Sequence, residues 1–443
     1  MTGVQTCALP ISNIVFNDNP TEFDDNLGIT LGLVVIGASP SVTNLNSDMY
    51  ASSLTITASD ELRTKGYEVD IGTGGISIAG TMTTTDTGES DGSIITTEGN
   101  LSISSGGVYT KDTATEFWFD GSGTSTWTDS NSTKQDMGTV YVDGSTKTVN
   151  LGSSVNATQL TLGANDTLGL GSSGYVLTLL GVGVDASRPF VVESGGTLNE
   201  GTDSKVLFTG SSADLEVQAE TYHDLEISPA ATASYTQYLA VTTSETVNVS
   251  GDLTIGNGTN TTVANVTGND PTLNVDGNVV ISANATLSAS DSASFTVAGN
   301  WTNSNVFTHN SGTVTFDGAA NQTATTNAQA FGNLILNNTG DTPGTNDKLI
   351  LSGNLTVAID LTVTDGTLDL TTNDPVTDVG DDVSIASNGN ILASDSSAFT
   401  VAGNWSNSGA FTHNNGTVTF DAGDTGNTID GNISSAKIGR AHV

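Results

Sequence analysis

The chain of 443 residues carries 10 Lys+Arg against 48 Asp+Glu, a formal charge of −38. An acidic excess of this size excludes nucleic acid as a partner, because phosphate binding needs clustered Lys and Arg. It favours cations and cationic surfaces over anionic membranes, although solubility alone accounts for such a charge. No apolar run approaches the length of a membrane span and no heptad is sustained, so neither a membrane helix nor a coiled coil is expected. The polar composition would suit disorder, but apolar residues come in short alternating runs such as LTIT, VVIS and VTF. With helix formers sparse and β-branched residues abundant, the expectation is all-β.

In chain order, residues 1–12 come first and include MTGVQTCALPI, and the chain closes on IGRAHV at 438–443. The codons ATC GGA AGA GCA CAC GTC spell the second string. Their reverse complement, read one base in, spells Thr6-Cys7-Ala8-Leu9-Pro10-Ile11. Both tails resemble a translated sequencing-library adapter and are set aside from fold reasoning. What remains is a cysteine-free chain that cannot be stapled by disulfides, so repetition must do that work; compartment is left open on this ground.

From Asn13 to Ser47, NIVFNDNP and ITLGLVVIGA read as two strands. From Ser52 the punctuation is regular: SLTITAS, YEVDIGTGG, ISIAGTM, SIITTEG, NLSISSGG. Each is a strand of four to six residues closed by Gly, Ser, Thr or Asp, with no room for a crossover helix. Phe119-Asp120-Gly121, Thr126-Trp127-Thr128, VYVDG and TVNLGS continue the beat. The clearest signal is a stretch written twice. Phe295 to Gly318 (FTVAGNWTNSNVFTHNSGTVTFDG) returns 104 residues later at Phe399 to Ala422 (FTVAGNWSNSGAFTHNNGTVTFDA). Asn269-Asp270-Pro271 extends the match backwards to Asn373-Asp374-Pro375. A third, diverged copy puts Phe190 105 residues before Phe295.

These offsets divide the chain into a tail at 1–12, an N-terminal part with diverged repeats at 13–189, blocks at 190–294 and 295–398, a truncated block at 399–437 and a tail at 438–443. Within a block the beat is close to half of a 20-residue interval. A parallel β-helix (β-solenoid) fits, with five coils of about 21 residues per block and about 20 coils in all, stacked about 4.8 Å apart. The alternative is an array of β-sandwich units, one per block.

GNLTV (353–357), GTLDL (366–370), VAGNW (297–301), FTHNSGTVTFDG (307–318) and FGNLIL (331–336) resemble large repetitive surface proteins of uncultivated bacteria. Those are similar to filamentous-haemagglutinin and autotransporter passenger β-helices. The resemblance implies a right-handed β-helix that is secreted or held at the cell surface. It transfers no catalytic residue.

Candidate ligand contacts are Trp301 and Trp405, which follow Gly-Asn in corresponding places, with His309 and His413 eight residues later. An indole can stack on a sugar and a His can line the same groove; equally, a repeat copies residues that only hold the fold. No second His or Cys stands at ligand spacing, so no metal site is expected. Acidic clusters (Asp24-Asp25, Asp381-Asp382, Asp421 with Asp424 and Asp430) suit adventitious calcium, but the D-x-D-x-D-G loop and the glycine-rich nonapeptide are missing. Arg63-Thr64-Lys65 matches one motif of pectin-cleaving β-helix hydrolases, while their NTD and GHG motifs are absent. Triplets for N-glycosylation occur at Asn248, Asn300 and Asn404.

The expected function is therefore a non-catalytic structural or adhesive stalk without cofactor, contacting a surface glycan or protein and neighbouring parts of a longer chain. The alternatives are a carbohydrate-binding β-helix using the repeat-borne Trp residues and a polysaccharide-degrading β-helix enzyme.

Overall fold

The structure, a computed structural model, describes the chain apart from residues 1–12, 17–20, 25–28, 38–40, 86–91, 233, 241–244, 268–269, 341–344, 422, 424–425, 432–436 and 440–443. It is an all-β solenoid of about 18 turns with parallel stacked strands. The helical element among the described residues is a single 3₁₀ turn, Asp185–Ser187. A sandwich array would pair neighbouring strands antiparallel; here each strand pairs in parallel with the one a turn later.

Two compact units form. One comprises Met1–Val182 with Ala186–Leu207, the other Gly183–Asp185 with Phe208–Val443. In the first unit three ladders of strands surround the core. Met49, Val69, Ile95, Phe117, Val140 and Leu160 stack in one. Leu54, Ile76, Leu101 and Trp127 stack in the second, and Leu62 and Met82 with Tyr109 in the third. All are buried. Alternation explains the choice: in EFWF of Glu116–Phe119 the two Phe point in, while Glu116 and Trp118 point out.

The second unit is built likewise. Its first face carries Leu273, Phe295, Val314, Leu334, Leu361, Val383 and Trp405. Its second carries Leu253, Val279, Trp301 and Ala324, and further along Leu349, Leu368, Ile391 and Phe411. The third carries Leu287 and Phe307, then Phe331, Val357, Val379, Val401 and Phe420.

Turn length varies because the corners differ. On the first face one turn leads from Phe295 to Val314, and a distinctly longer one leads from Leu334 to Leu361. Five turns from Phe295 end at Trp405, past Phe399 where the copy begins. The expectation of five coils per block is corrected accordingly. The copied stretch lies four turns and two faces after its original, so Phe295 sits on the first face and Phe399 on the third, beside Thr377 and Val418.

The Gly-Asn and Gly-Asp pairs of the repeats are corners. Asn278 donates its backbone N–H (2.8 Å) and side-chain amide (2.9 Å) to Asp252 Oδ1. Asn300 does the same to Asn278 Oδ1 at 2.8 and 3.0 Å, and Asn300 Oδ1 accepts the Thr323 N–H at 2.8 Å. A second ladder runs Asp360, Asp382, Asn404, Thr428. The glycine before the ladder residue is required by closeness: a Cβ on Gly299 would lie 2.3 Å from the Gly277 carbonyl oxygen.

Candidate functional site

The two tryptophans singled out from sequence hold the fold. Trp301 and Trp405 are each 1% exposed. Trp301 meets Phe307 edge-on at 4.9 Å and 81°, and Trp405 meets Phe411 at 4.9 Å and 82°. Neither indole has an exposed face, so sugar stacking on this pair is corrected to core packing. Trp301 also touches Phe295, Phe316 and Phe331. The two Trp belong to different faces and are not brought together.

His309 and His413 are half-buried residues that open tight turns. Nδ1 of His309 accepts the Ser311 N–H at 2.9 Å, and Nδ1 of His413 accepts the Asn415 N–H at 3.0 Å. Acceptance at Nδ1 places the proton of the neutral ring on Nε2. The two residues that follow each His have positive φ (47° and 65°; 45° and 65°), a conformation that Asn tolerates better than most side chains.

Asp381 and Asp382 gather with Asp360, their oxygens within 4.8 Å of one another. Asp360 Oδ1 accepts the Asp382 N–H at 3.1 Å, and Asp382 Oδ1 accepts the Asn404 N–H at 2.6 Å, so two of the three already serve the corner ladder. Each carboxylate can bring one oxygen to a shared point, and a calcium ion there would fill its remaining positions from second carboxylate oxygens or water. Asp24 and Asp421 are described and Asp430 is exposed; Asp25 and Asp424 lie outside the described residues. Arg63 is bound in a bidentate pair to Glu61 at 2.8 and 2.9 Å, with Thr64 buried behind it. The Asn300 and Asn404 amides are engaged in the ladders.

A different surface, in the first unit, has the makings of a site. Outward from its first ladder stand Tyr50, Asp70, Thr96, Trp118, Tyr141 and Thr161 on successive rungs. Trp118 and Tyr141 stack with ring centroids 3.9 Å apart and planes 15° from parallel. The indole is fixed by donating Nε1–H to Glu116 Oε2 at 3.0 Å. Three rungs away, a cavity of about 300 Å³ is lined by Thr30, Tyr50, Ser52, Asp70, Thr73 and Glu98, among others.

Charge is concentrated at this edge. Asp120 is held above the ordinary carboxylate range, first by burial and then by the charges of Asp70 and Glu98, against the pull of Lys147. Glu68 is also raised, by burial and by Asp48 and Asp70. The Tyr50 phenol moves up for the same reasons, burial first and then Glu68. Lys147 lies beneath with no exposed surface, its ammonium donating to the Glu98 carbonyl oxygen, and burial lowers its pKa. The arrangement offers aromatic rings, hydroxyl groups and hydrogen-bond acceptors on one surface. Sequence reasoning passed over Trp118 and Tyr141; their signal was the alternation in EFWF and VYV, which puts an aromatic ring on the outward position.

No protein family, curated protein or solved structure matches the chain.

Proposed function

We propose that the chain is a non-catalytic structural or adhesive stalk segment of a secreted or cell-surface bacterial protein. One observation carries this reading: the tryptophans that the repeat copies, Trp301 and Trp405, are spent with neighbouring Phe side chains inside the coil on packing. A repeat whose copied aromatic residues are all used to pack one turn against the next fits a part selected for length and stiffness. The β-solenoid fold itself is consistent with such a role. Each added turn lengthens a unit by about 4.8 Å and covers the open edge of the turn before it. The carboxylate coat keeps such a surface soluble, and the resemblance of the GNLTV and VAGNW segments to surface β-helices supports the location. No helix among the described residues is long and apolar enough to cross a membrane.

The test is protease shaving of intact cells that carry the gene, with the released peptides identified by mass spectrometry. Peptides of this chain should appear before lysis; their appearance only after lysis would remove the surface reading. Release of reducing ends or unsaturated sugars from polysaccharides by the purified chain would remove the non-catalytic one.

A further inference from the structure

We infer that the outward face of the first unit, from the Tyr50 cavity to the Trp118–Tyr141 stack, binds a neutral, hydroxyl-rich polysaccharide. This assignment stands apart from the stalk reading, since the site would bind whether or not the chain acts as a spacer.

Four observations support it. First, Trp118 is the one tryptophan of four that is not buried: Trp127, Trp301 and Trp405 are at most 1% exposed. A large aromatic ring held out from a sheet has the apolar face and polar edge that suit ligand contact. Second, the outer rungs of the stack are threonines, Thr96 beside Trp118 and Thr161 beside Tyr141. Their small side chains leave room for a ligand against each ring. The Glu116 hydrogen bond fixes the indole beforehand, which lowers the ordering cost of binding.

Third, the cavity at Tyr50 adds a third aromatic side chain, the hydroxyls of Thr30, Ser52 and Thr73, and the carboxylates of Asp70 and Glu98. Carboxylates and hydroxyls accept the hydrogen bonds that sugar hydroxyls donate. From Tyr50 to Trp118 is three rungs, about 14 Å at the strand spacing, so the occupant is an oligomer or polymer rather than one sugar. Fourth, the sign of the charge selects among polymers. Asp48, Glu68, Asp70, Glu98, Glu116 and Asp120 would repel a uronate or sulfated chain.

The experiment uses the full chain with cellohexaose and soluble mannan as neutral probes, oligogalacturonate as the anionic one and a chitosan oligomer as the cationic one. Binding is read by calorimetry and by protection of Trp118 fluorescence from acrylamide quenching, which the buried tryptophans barely report. A neutral probe should bind and protect Trp118. Trp118→Ala should weaken binding on the order of tenfold or more, Trp118→Phe should keep most of it, and Tyr235→Ala, an exposed tyrosine in the other unit, should change nothing. An unchanged thermal transition confirms that the Trp118→Ala chain is folded.

Absence of protection by both neutral probes overturns the inference. Undiminished binding by Trp118→Ala does so too, as does binding of chitosan alone that disappears with added salt, which would mark a bare cation trap. Sugar release would sink the non-catalytic reading and leave the binding site standing, so the two failures are distinguishable.

Discussion

The stretch at Phe295–Gly318 and its copy from Phe399 have the same local structure in different places. Each runs strand, corner, strand, corner, strand, turn, strand: Ser294–Val297, Trp301–Asn303, Val306–Thr308 and Thr313–Phe316 in the first, Phe399–Val401, Trp405–Asn407, Ala410–Thr412 and Thr417–Phe420 in the second. Yet Trp301 stacks between Val279 and Ala324, and Trp405 between Val383 and Ile429, on another face. Three faces that each bury alternate residues are interchangeable to a short segment. A motif can therefore be copied at any phase that keeps its apolar residues inward and its Trp beside its Phe.

The copies differ in what surrounds them, and this is where the comparison can be broken. The largest effect is expected at the tryptophans. Trp301 packs against four Phe, including Phe331, whereas Trp405 packs against three, with Phe411 half-buried. Trp301→Ala should cost about 3–5 kcal/mol and Trp405→Ala clearly less, by denaturant unfolding of the purified chain. Equal losses would mean that the environment of the copy is immaterial.

The corner glycines come next. A Cβ at position 299 meets the backbone carbonyl of Gly277 at 2.3 Å, while one at position 403 meets the carboxylate oxygens of Asp381 and Asp382 at 2.4 Å, and the Asp381 backbone at 2.5 Å. Backbone is met at both positions, and Asp382 Oδ1 already holds the Asn404 amide, so neither corner can give way cheaply. Gly299→Ala and Gly403→Ala are each expected to cost about 2–3 kcal/mol by the same measurement, near the top of the range for overpacking.

Removing a ladder amide should matter in the opposite order to the tryptophans. Asn300 donates its side chain to the neutral Asn278, at 3.0 Å, but Asn404 donates to the Asp382 carboxylate, at 2.9 Å. Hydrogen bonds to charged groups are roughly twice as strong. Asn300→Ala is expected to cost about 1 kcal/mol and Asn404→Ala about 2 kcal/mol, read as shifts in the unfolding midpoint.

The smallest effect lies at the end of the motif and depends on pH. Asp317 is raised above the usual carboxylate range by burial, and then by Asp276, against its own backbone hydrogen bond; Asp421 in the copy is exposed. A raised folded-state pKa means that the folded chain takes up the proton first. The penalty of the buried charge is thus present above that pKa and is relieved as pH falls through it towards the unfolded value. Asp317→Asn should stabilise the chain slightly at neutral pH and flatten its stability between neutral pH and the ordinary carboxylate range. Asp421→Asn should leave the melting curve within about 0.5 kcal/mol of the parent, as surface changes usually do.

Much of the fold was legible in sequence, and the reasons are local. The alternation in SLTITAS or EFWF states which side chains go inward, and the glycines before Asn278 and Asn300 mark corners. The site was less legible. Repetition drew the eye to Trp301 and Trp405, but a solenoid repeats its core as readily as its surface. Trp118 and Tyr141 meet because they stand on adjacent rungs, one full turn of the coil apart, and no motif joins them.

By itself the sequence determined the strands, their inward and outward sides, the corners and the fact of repetition, because each depends on neighbours a few residues away. The tertiary structure alone decided which face each copy occupies and which outward residues share a surface. Those depend on the summed lengths of all intervening corners, and a corner lengthened by a few residues shifts everything after it without altering any local signal.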